Sequence, residues 1–380
     1  MVLAGRAPVR APQNRRSGGA VRKTARIAAV ATIAALSLAA CGERPTDEPE
    51  TATETPTATE TEPAEQFPDF KACMVSDSGG FDDKSFNQTS HAGLEAAAEK
   101  LGVQTAEVES QSPSEFDDNI AEMVSQGCNS ITTVGFLLGD ATLKSAKKNK
   151  DISYSIVDFA YEKAPANVKG LTFNTAEPSF LAGYLAAAKS ETGVVGTFGG
   201  LNIPTVTIFM TGFHQGVQRY NEDNGADVKV IGWDPAKPKA GSFTNDFESK
   251  TIGQQTAEEM ITQGADVIFP VAGPAGLGGL QAAQDNDAWG IWVDTDGCVS
   301  AEEYCDILLT SVVKGMDVAV EQAITDAASG TFSNELYVGT LENGGVSLAE
   351  FGPNADVDDE LAAELEELKA GIIDGSITVG

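Results

Sequence analysis

Residues 71–88 read KACMVSDSGGFDDKSFNQ, and the fold class can be predicted from the pattern of these residues. Its first six residues form a short run typical of a strand, and a loop rich in Gly and Asp follows them. From Ser85 an Ala-rich segment carries apolar residues at spacings of three and four as far as Leu101. A strand that leads through a polar loop into a helix is typical of the α/β class, in which parallel strands alternate with helices.

The alternation of strand and helix continues along the chain. The first cycle is predicted to add strands at 103–108, 130–134 and 152–157 and helices at 114–126 and 139–148. The second cycle is predicted to contain helices at 177–189, 204–221, 246–263, 275–286, 311–328 and 358–373, with strands at 194–198, 226–232, 267–270, 290–294 and 335–339. This count predicts two doubly wound, Rossmann-like lobes. The N-terminal lobe is expected to comprise residues 67–175, with 298–328 returning to it. The C-terminal lobe is expected to comprise residues 176–297, with 329–380 returning to it.

Residues 1–40 have the pattern of a secretory signal peptide. The first 26 residues contain seven basic side chains and no acidic one, and the apolar run from Ile27 to Ala40 is too short to span a bilayer comfortably. The run Leu38-Ala39-Ala40-Cys41 resembles the lipobox of bacterial lipoproteins, in which the cysteine is diacylated and becomes the new N-terminus. An ordinary signal peptide with a chance cysteine is the alternative. We expect lipidation at Cys41.

The segment 41–66 is expected to be a spacer behind the lipidated cysteine. After Cys41 it consists mostly of Thr, Glu, Pro and Ala, so it buries too little apolar surface to offset the entropy of ordering and is expected to be disordered. No later segment reaches the roughly 18 consecutive apolar residues that a transmembrane helix needs. We therefore expect a protein anchored to the extracytoplasmic face of the cell membrane by lipid alone.

The charge of the chain beyond the signal excludes one large class of partner. This part contains 18 Lys and Arg against 56 Asp and Glu, a formal charge of −38. Nucleic acid is therefore not expected as a partner, because its binding depends on neutralising phosphates. The roughly 310 residues beyond the spacer exceed what one core usually holds, which again favours two lobes.

Four cysteines beyond Cys41 are candidates for two disulfides in an exported chain. Cys298 and Cys305 flank a short acidic loop and are the first pair expected. Cys73 and Cys128 each lie near the start of a predicted strand, and adjacent strands bring them together; four reduced cysteines are the alternative. A metal site is not expected, since the chain has two His and no close Cys-x-x-Cys pair.

Ligands of doubly wound sheets bind at the carboxyl ends of the strands. The residues found there are small, acidic or aromatic: Asp77, Ser78, Gly135, Phe136, Asp158, Gly199, Gly200, Gly273 and Asp294. Carboxylates accept hydrogen bonds from hydroxyl groups, and aromatic faces stack on a flat or apolar surface. The pattern favours a neutral, polyhydroxylated ligand, although loops after strands are often rich in Gly and Asp without any ligand.

The motif SDSGGFDDKSFNQ at 76–88 resembles the opening motif of the basic membrane protein (BMP) family of bacterial lipoproteins, which includes purine-nucleoside receptors of ABC transporters. The resemblance covers about residues 70–350 and continues through Gly135-Phe136, Gly199-Gly200 with Pro204, GFHQG at 212–216, Gly241-Ser242-Phe243, VDTD at 293–296 and TSVVK at 310–314. It implies a type I periplasmic-binding-protein fold, with two lobes joined by hinge strands that close on a ligand.

The resemblance also implies a nucleoside site. It places Phe86 and Phe243 on the two faces of the base and Asn87 and Asp158 at the base edge. Near the ribose hydroxyls it places Asp77, Gly273, Asp294 and Lys314. The chain departs from the family pattern at 274–278 after Gly273, where a small hydroxyl residue is usual, and at 295–298 after Asp294, where a glutamine is usual. Asp82 and Asp83 are expected to cap the first helix and not to touch ligand.

The leading hypothesis is a monomeric substrate-binding lipoprotein that delivers a purine nucleoside to an ABC permease, with no cofactor. The same fold binding a sugar or a signalling molecule is one alternative, and a sensor that acts on a membrane receptor is another. An exported nucleoside-processing enzyme is a third. It is disfavoured because the sequence offers no Ser-His-Asp arrangement and no clustered aspartates of the metal-binding kind, and His214 lies in a predicted helix.

Overall fold

Two six-stranded sheets organise residues 65–380, the part of the chain that the computed structural model describes. The expected signal peptide at 1–40, the lipidation site Cys41 and all but the last two residues of the expected spacer at 41–66 lie outside the described residues. Within 65–380, no helix is both long and apolar enough to cross a membrane.

The first sheet is wholly parallel and has a switch point next to its first strand. It contains β1 (Lys71–Ser76), β2 (Gln104–Glu109), β3 (Ser130–Val134), β4 (Ser153–Val157), β5 (Val168–Phe173) and β11 (Tyr337–Gly339). The strand order is β11-β5-β4-β3-β1-β2, so β2 and β3 lie on opposite sides of β1. Because the order reverses at β1 and β3, a crevice opens at their carboxyl ends.

The second sheet repeats this plan. It contains β6 (Val194–Gly199), β7 (Lys229–Ile231), β8 (Val267–Val271), β9 (Trp289–Asp294), β10 (Leu308–Lys314) and β12 (Val346–Leu348). The order is β12-β10-β9-β8-β6-β7, with β12 antiparallel to β10 and the other strands parallel. Strands β6 to β10 therefore correspond one by one to β1 to β5, and the second switch point lies between β6 and β8.

Helices cover both sheets. They are α1 (Phe86–Leu101), α2 (Phe116–Ser125), α3 (Gly139–Lys148), α4 (Ala176–Lys189), α5 (Pro204–Asn224), α6 (Lys250–Thr262), α7 (Pro274–Asp285), α8 (Gly297–Ser300), α9 (Met316–Ala328) and α10 (Asp359–Ile373). Three pairs pack closely: α1 with α9, α4 with α5, and α6 with α7.

The GFHQG motif at 212–216 serves the packing of α4 on α5. A Cβ atom at Gly212 would lie 2.2 Å from the carbonyl oxygen of Ala176, and one at Gly216 would lie 1.9 Å from that of Phe180. The two backbones approach too closely for any side chain at these positions. His214, between the glycines, is half-buried, and burial lowers its pKa.

The predicted α/β class with two doubly wound lobes is confirmed, but some elements differ from those predicted. Strands β5 and β12 were missed, and β10 was predicted in part as the start of a helix at 311–328. In β10, the pairs Leu308-Leu309 and Val312-Val313 are four residues apart and mimic helical spacing. The strand is buried on both faces, so the alternation that normally identifies a strand is absent.

The crossings between lobes also differ from those expected. The segment 298–328 was expected to return as a whole to the first lobe. Its strand β10 remains in the second sheet, and only its helix α9 packs on α1 of the first lobe. Of 329–380, β11 pairs with β5 in the first sheet, whereas β12 and α10 belong to the second lobe. Within 65–380 the chain thus passes between the lobes three times, at 173–176, 314–316 and 339–346.

Both expected disulfides form. Cys73 in β1 bonds Cys128, two residues before β3, with the Cα atoms 6.0 Å apart. The parallel pairing of β1 with β3 brings these two cysteines together, as the strand argument predicted. Cys298 bonds Cys305 across the short acidic loop.

Candidate functional site

A cavity lies between the two sheets, at the carboxyl ends of their strands. Its wall consists of the ends of β8, β9 and β10, the segments that follow β1, β3, β4, β6 and β8, the starts of α1 and α5, and the loop that holds Phe247. The lining residues are Asp77, Ser78, Asp83, Phe86, Asn87, Gly135, Phe136, Leu137, Asp158, Ile203, Thr205, Val206, Phe209, Phe247, Val271, Ala272, Gly273, Pro274, Val293, Asp294 and Lys314. The switch points of both sheets therefore open into one space.

The structure brings most of the predicted ligand-binding residues to this cavity. They are Asp77, Phe86, Asn87, Asp158, Gly273, Asp294 and Lys314. Four of these seven residues, Asp77, Asp158, Gly273 and Asp294, are also predicted from the pattern of strand ends alone.

Phe243 is the exception, because it is not among the residues that line the cavity. Its backbone forms an isolated bridge with Gly199 at the end of β6, and its ring meets Trp233 edge to face with 6.1 Å between the ring centroids. Since a Cβ atom at Gly199 would lie 2.9 Å from the Phe243 ring, that ring lies on the glycine. Phe243 thus packs beside the cavity wall and does not line it, and its stacking on a base stays a prediction.

Sequence reasoning missed two aromatic residues of the second lobe that do line the cavity, Phe209 and Phe247. Phe209 lies three residues after Val206 on α5, so both side chains are on the same face of the helix. Pro204 at the start of this helix indicates that β6 ends before it. The helix start after a strand was therefore an available signal for Phe209. Phe247 lies in an irregular loop, and no motif marked it.

Lys314 is the central cation of the site. Its Nζ atom lies 2.6 Å from Oδ2 of Asp158 and 3.7 Å from Oδ1 of Asp294, and the lysine is 2% exposed. The same Nζ lies 4.8 Å from the ring centroid of Phe86 and 5.3 Å from that of Phe209. A buried ammonium group is tolerated only when it is paired in this way. Burial raises the pKa of Asp158, and the contact with Lys314 opposes that rise.

Asp158 and Asp294 occupy corresponding places in the two lobes: Asp158 directly follows β4, and Asp294 is the last residue of β9. Both have left-handed backbone angles, with φ of 64° and 70°. Non-glycine residues in this region are strained, and such strain concentrates at functional sites. Asp294 also accepts a hydrogen bond of 2.7 Å from the Ser85 hydroxyl, so a residue of the first lobe contacts it as well.

Asn87 and Asp77 form a second polar group, on the first lobe. Asn87 Nδ2 donates hydrogen bonds of 3.1 Å to Oδ1 of Asp77 and to the carbonyl oxygen of Ser78. Because a carbonyl oxygen only accepts, this contact fixes the orientation of the amide. Asn87 Oδ1 is buried and has no hydrogen-bond partner within 65–380. A buried acceptor of this kind at a cavity wall is suited to a donor on a ligand.

Burial raises the pKa of Asp77 to about 8. The hydrogen bond from Asn87 lowers it, while the nearby carboxylates of Asp83 and Asp158 raise it further. Asp77 therefore holds a proton over much of the neutral range, which adds a donor to the cavity wall.

Asp83 acts as a cap, as expected. Its carboxylate accepts hydrogen bonds from the backbone N–H groups of Ser85, Asn87 and Gln88 at 2.9–3.0 Å, around the first turn of α1. Asp82 is exposed and lies 3.7 Å from the Lys84 ammonium group. No group of three or more His, Cys, Asp or Glu side chains within 65–380 has a geometry that could hold a metal ion.

A model of the Bmp family, described as ABC transporter substrate-binding protein PnrA-like, matches residues 70–379. The chain belongs to this family. The match covers both sheets and every segment that lines the cavity. This PnrA-like chain is therefore a substrate-binding protein of the ABC transporter class and not an enzyme.

Named relatives agree with this assignment. The chain is 31% identical over 330 residues to the ABC transporter nucleoside-binding protein BmpA of Lactococcus lactis. The aligned region covers 82% of this chain and 89% of the relative. It is also 31% identical over 331 residues to the CD4+ T-cell-stimulating antigen of Listeria monocytogenes, over 82% of this chain and 88% of that one.

Solved structures support the predicted fold. An ABC transporter solute-binding protein from Aeropyrum pernix is 27% identical to the PnrA-like chain with a TM-score of 0.73, over 81% of this chain and 92% of that one. The expected type I periplasmic-binding-protein fold is thus confirmed. Proteins of this class bind small-molecule ligands outside the cytoplasm and interact with permeases.

Proposed function

We propose that this chain is a lipoprotein that captures a purine nucleoside between its lobes and delivers it to an ABC permease. The observation that carries the proposal is the composition of the cavity wall. It combines aromatic rings from both lobes with a cluster of buried carboxyl groups around one ammonium group. A nucleoside matches both parts, because its base is flat and its ribose presents hydroxyl donors.

Phe86 is proposed to stack on the base from the first lobe. It is partly buried and lines the cavity, and Lys314 Nζ lies over its ring, 4.8 Å from the centroid. Asn87, whose Oδ1 lacks a partner in the described part of the chain, is proposed to accept a hydrogen bond from the base edge. Asp158 was assigned to the same edge by the family resemblance.

The ribose is proposed to bind near Asp294 and Lys314, with Asp77 and Gly273 on the neighbouring wall. The carboxyl oxygens of Asp294 accept hydrogen bonds from hydroxyl groups, and the Lys314 ammonium group donates to oxygens. Because Lys314 also contacts Asp158, the polar groups proposed for base and sugar form one connected cluster. The relative from L. lactis is named a nucleoside-binding protein, which favours this ligand over a free sugar.

The anchoring part of the proposal rests on the N-terminal sequence. The lipobox-like run that ends at Cys41 favours a lipid anchor, and the polar segment 41–66 places the two lobes within reach of a membrane permease. Closure of the lobes around ligand is proposed to create the form that docks on the permease.

Calorimetric titration tests the proposed identity of the ligand. The mature protein, in detergent and stripped of bound ligand by unfolding and refolding, is titrated with adenosine, guanosine, uridine, adenine and ribose. Saturable binding of a purine nucleoside, with weaker binding of base and ribose alone, supports the proposal. Binding of ribose with no response to any nucleoside contradicts it.

A further inference from the structure

The two residues before α1, Lys84 and Ser85, form a bend that the first lobe holds in one conformation; we name them the Ser85 bend. Lys84 has a left-handed backbone, with φ of 64°, which residues other than glycine rarely adopt. Its N–H group donates a hydrogen bond of 3.1 Å to Oε1 of Gln88, and the N–H group of Ser85 donates one of 2.9 Å to Oδ1 of Asp83. Strained backbone that its surroundings hold in this way is typical of functional sites.

The polar groups of the Ser85 bend contact the second lobe. The Ser85 hydroxyl, which is 0% exposed, donates a hydrogen bond of 2.7 Å to Oδ2 of Asp294 and lies 3.4 Å from the carbonyl oxygen of Val293. The carbonyl oxygen of Lys84 accepts a hydrogen bond of 3.3 Å from Nε1 of Trp292. Within residues 65–380 the Ser85 hydroxyl has no hydrogen-bond partner in its own lobe. The three partners are the last three residues of β9, so the bend of one lobe meets the end of one strand of the other.

Trp292 is held as firmly by the second lobe as the bend is by the first. Its indole is 0% exposed. A Cβ atom at Gly276 in α7 would lie 3.1 Å from the indole, and one at Gly297 in α8 would lie 2.9 Å from Cβ of Trp292. Neither Ser85 nor Trp292 is among the residues that line the cavity. These hydrogen bonds therefore join the two lobes beside the cavity, through groups that do not face the ligand.

We propose that the Ser85 bend is a latch that closes on the end of β9 and holds the lobes together around the ligand without touching the ligand. Ser85 and Trp292 are then positioning residues, because they act on binding through the equilibrium between open and closed forms. The inference rests on the proposed capture of a ligand between the lobes and adds to it a contact made by the protein alone. When the closed form is less populated, the apparent affinity falls by the same fraction for every ligand that needs it.

Ser85→Ala removes one half of the latch. It is expected to weaken the binding of adenosine and of guanosine by about fivefold or more, because a buried acceptor of the closed form loses its donor. The factor is expected to be the same for both nucleosides, and stopped-flow measurements are expected to show it as faster dissociation with little change in association. Ser90→Ala is the matched control: this serine of α1 is equally buried, but its hydroxyl contacts the carbonyl oxygen of Phe86 and Sγ of Met316 and does not reach β9. It is expected to keep wild-type affinity.

Trp292→Phe removes the other half, the N–H donor, and keeps an aromatic ring. It is expected to weaken both nucleosides by about twofold or more, again by the same factor for each. Trp289→Phe, at the opposite end of the same strand, is the control and is expected to leave affinity unchanged. Calorimetric titration of the mature protein measures the affinities, and a melting curve for each variant verifies that it is folded.

A uniform loss in Ser85→Ala and in Trp292→Phe, with both controls at wild-type affinity, supports the latch. A loss confined to Ser85→Ala overturns it, because the hydroxyl then acts only by placing Asp294. If Trp292→Phe does not fold, Gln88→Ala, which releases the N–H group of Lys84 and so the bend, is expected to show the same uniform loss. Unchanged affinity in a folded Gln88→Ala protein contradicts the latch.

The outcome for the wild type separates this inference from the proposed function. A wild type that binds ribose and no nucleoside overturns the nucleoside function. The same variants titrated with ribose then test the latch by itself. Weaker ribose binding in Ser85→Ala and Trp292→Phe supports it, and wild-type ribose affinity in both overturns it.

Discussion

The Nζ atom of Lys314 lies 2.6 Å from Oδ2 of Asp158, and this ion pair joins the last long strand of the second sheet to the first sheet across the cavity. Asp294, the equivalent of Asp158 in the other lobe, lies 3.7 Å from the same ammonium group. One lysine thus contacts the corresponding acidic residue of each lobe. The two ion pairs therefore bridge the lobes at the wall of the cavity.

Replacement of Lys314 by Met is expected to destabilise the protein. The variant leaves two buried carboxyl groups without their cation, and removing one partner of a buried ion pair costs about 3–5 kcal/mol. The free energy of unfolding in urea measures the loss. The double variant K314M/D158N, which removes the unpaired charge as well, is expected to be more stable than K314M alone. Equal or additive destabilisation in the double variant contradicts a coupled pair.

Asn87→Leu is expected to weaken nucleoside binding by about tenfold. The variant removes the one buried side-chain oxygen of the cavity wall that has no hydrogen-bond partner in the described residues, and a donor on the ligand is left unpaired. Wild type and variant are each titrated with a nucleoside and with an analogue that lacks one N–H donor of the base. The four affinities give the coupling energy between Asn87 and that donor. The analogue is expected to lose affinity for the wild type and to bind the variant as the parent nucleoside does. A uniform loss across ligands indicates a purely structural role for Asn87.

Those cavity-lining residues that lie at the carboxyl ends of strands could be predicted from the sequence. Asp77, Asp158 and Asp294 come directly after apolar runs, and the carboxyl ends of parallel strands meet at one edge of a sheet. Their position therefore needed no knowledge of packing. Lys314 was different, since its strand was partly interpreted as helix, and the family resemblance alone marked it.

The sequence does not indicate that Phe247, and not Phe243, is the phenylalanine of its loop that lines the cavity. Two phenylalanines four residues apart, Phe243 and Phe247, lie in an irregular loop where neither spacing nor burial follows a period. Between them Asn245 has a left-handed backbone, with φ of 64°, and the Phe247 ring occupies the space over Gly200. Both depend on tertiary contacts that no local pattern encodes.

Stability is expected to fall as the pH rises from about 4 to 8, in part because of Asp77. Its pKa is about 8 in the folded protein against an ordinary value of 3.8, so in this window the folded state retains a proton that the unfolded chain has lost. Raising the pH therefore favours unfolding. Asp77→Asn cannot lose that proton and is expected to show a smaller fall in melting temperature between pH 5 and 8. Asp83, with a pKa raised by burial to about 6, accounts for part of the remaining slope. Identical slopes in variant and wild type contradict the assignment.

Cys41→Ser is expected to release the protein from the membrane. The variant keeps the apolar run 27–40 and loses the thiol that the lipobox resemblance identifies as the acylated group. Cell fractionation with detection of the folded domain measures the shift, and mass spectrometry of the wild-type N-terminal peptide is expected to show a diacylated cysteine. Ala39→Ser, one of the residues before the cysteine, is the control that keeps the thiol. A wild-type protein recovered unacylated from the medium contradicts the anchor.

The two disulfides are expected to contribute unequally to stability. Cys73–Cys128 closes a loop with a sequence separation of 55, whereas the separation of Cys298 and Cys305 is 7. In the chain-entropy model these loops correspond to about 4 and about 2 kcal/mol, since a longer loop restricts the unfolded chain more. Replacement of each pair by two alanines, followed by urea unfolding, is therefore expected to lower the free energy of unfolding more for the first pair. Equal losses for both pairs, or a larger loss for Cys298–Cys305, contradict an origin in the entropy of the unfolded chain.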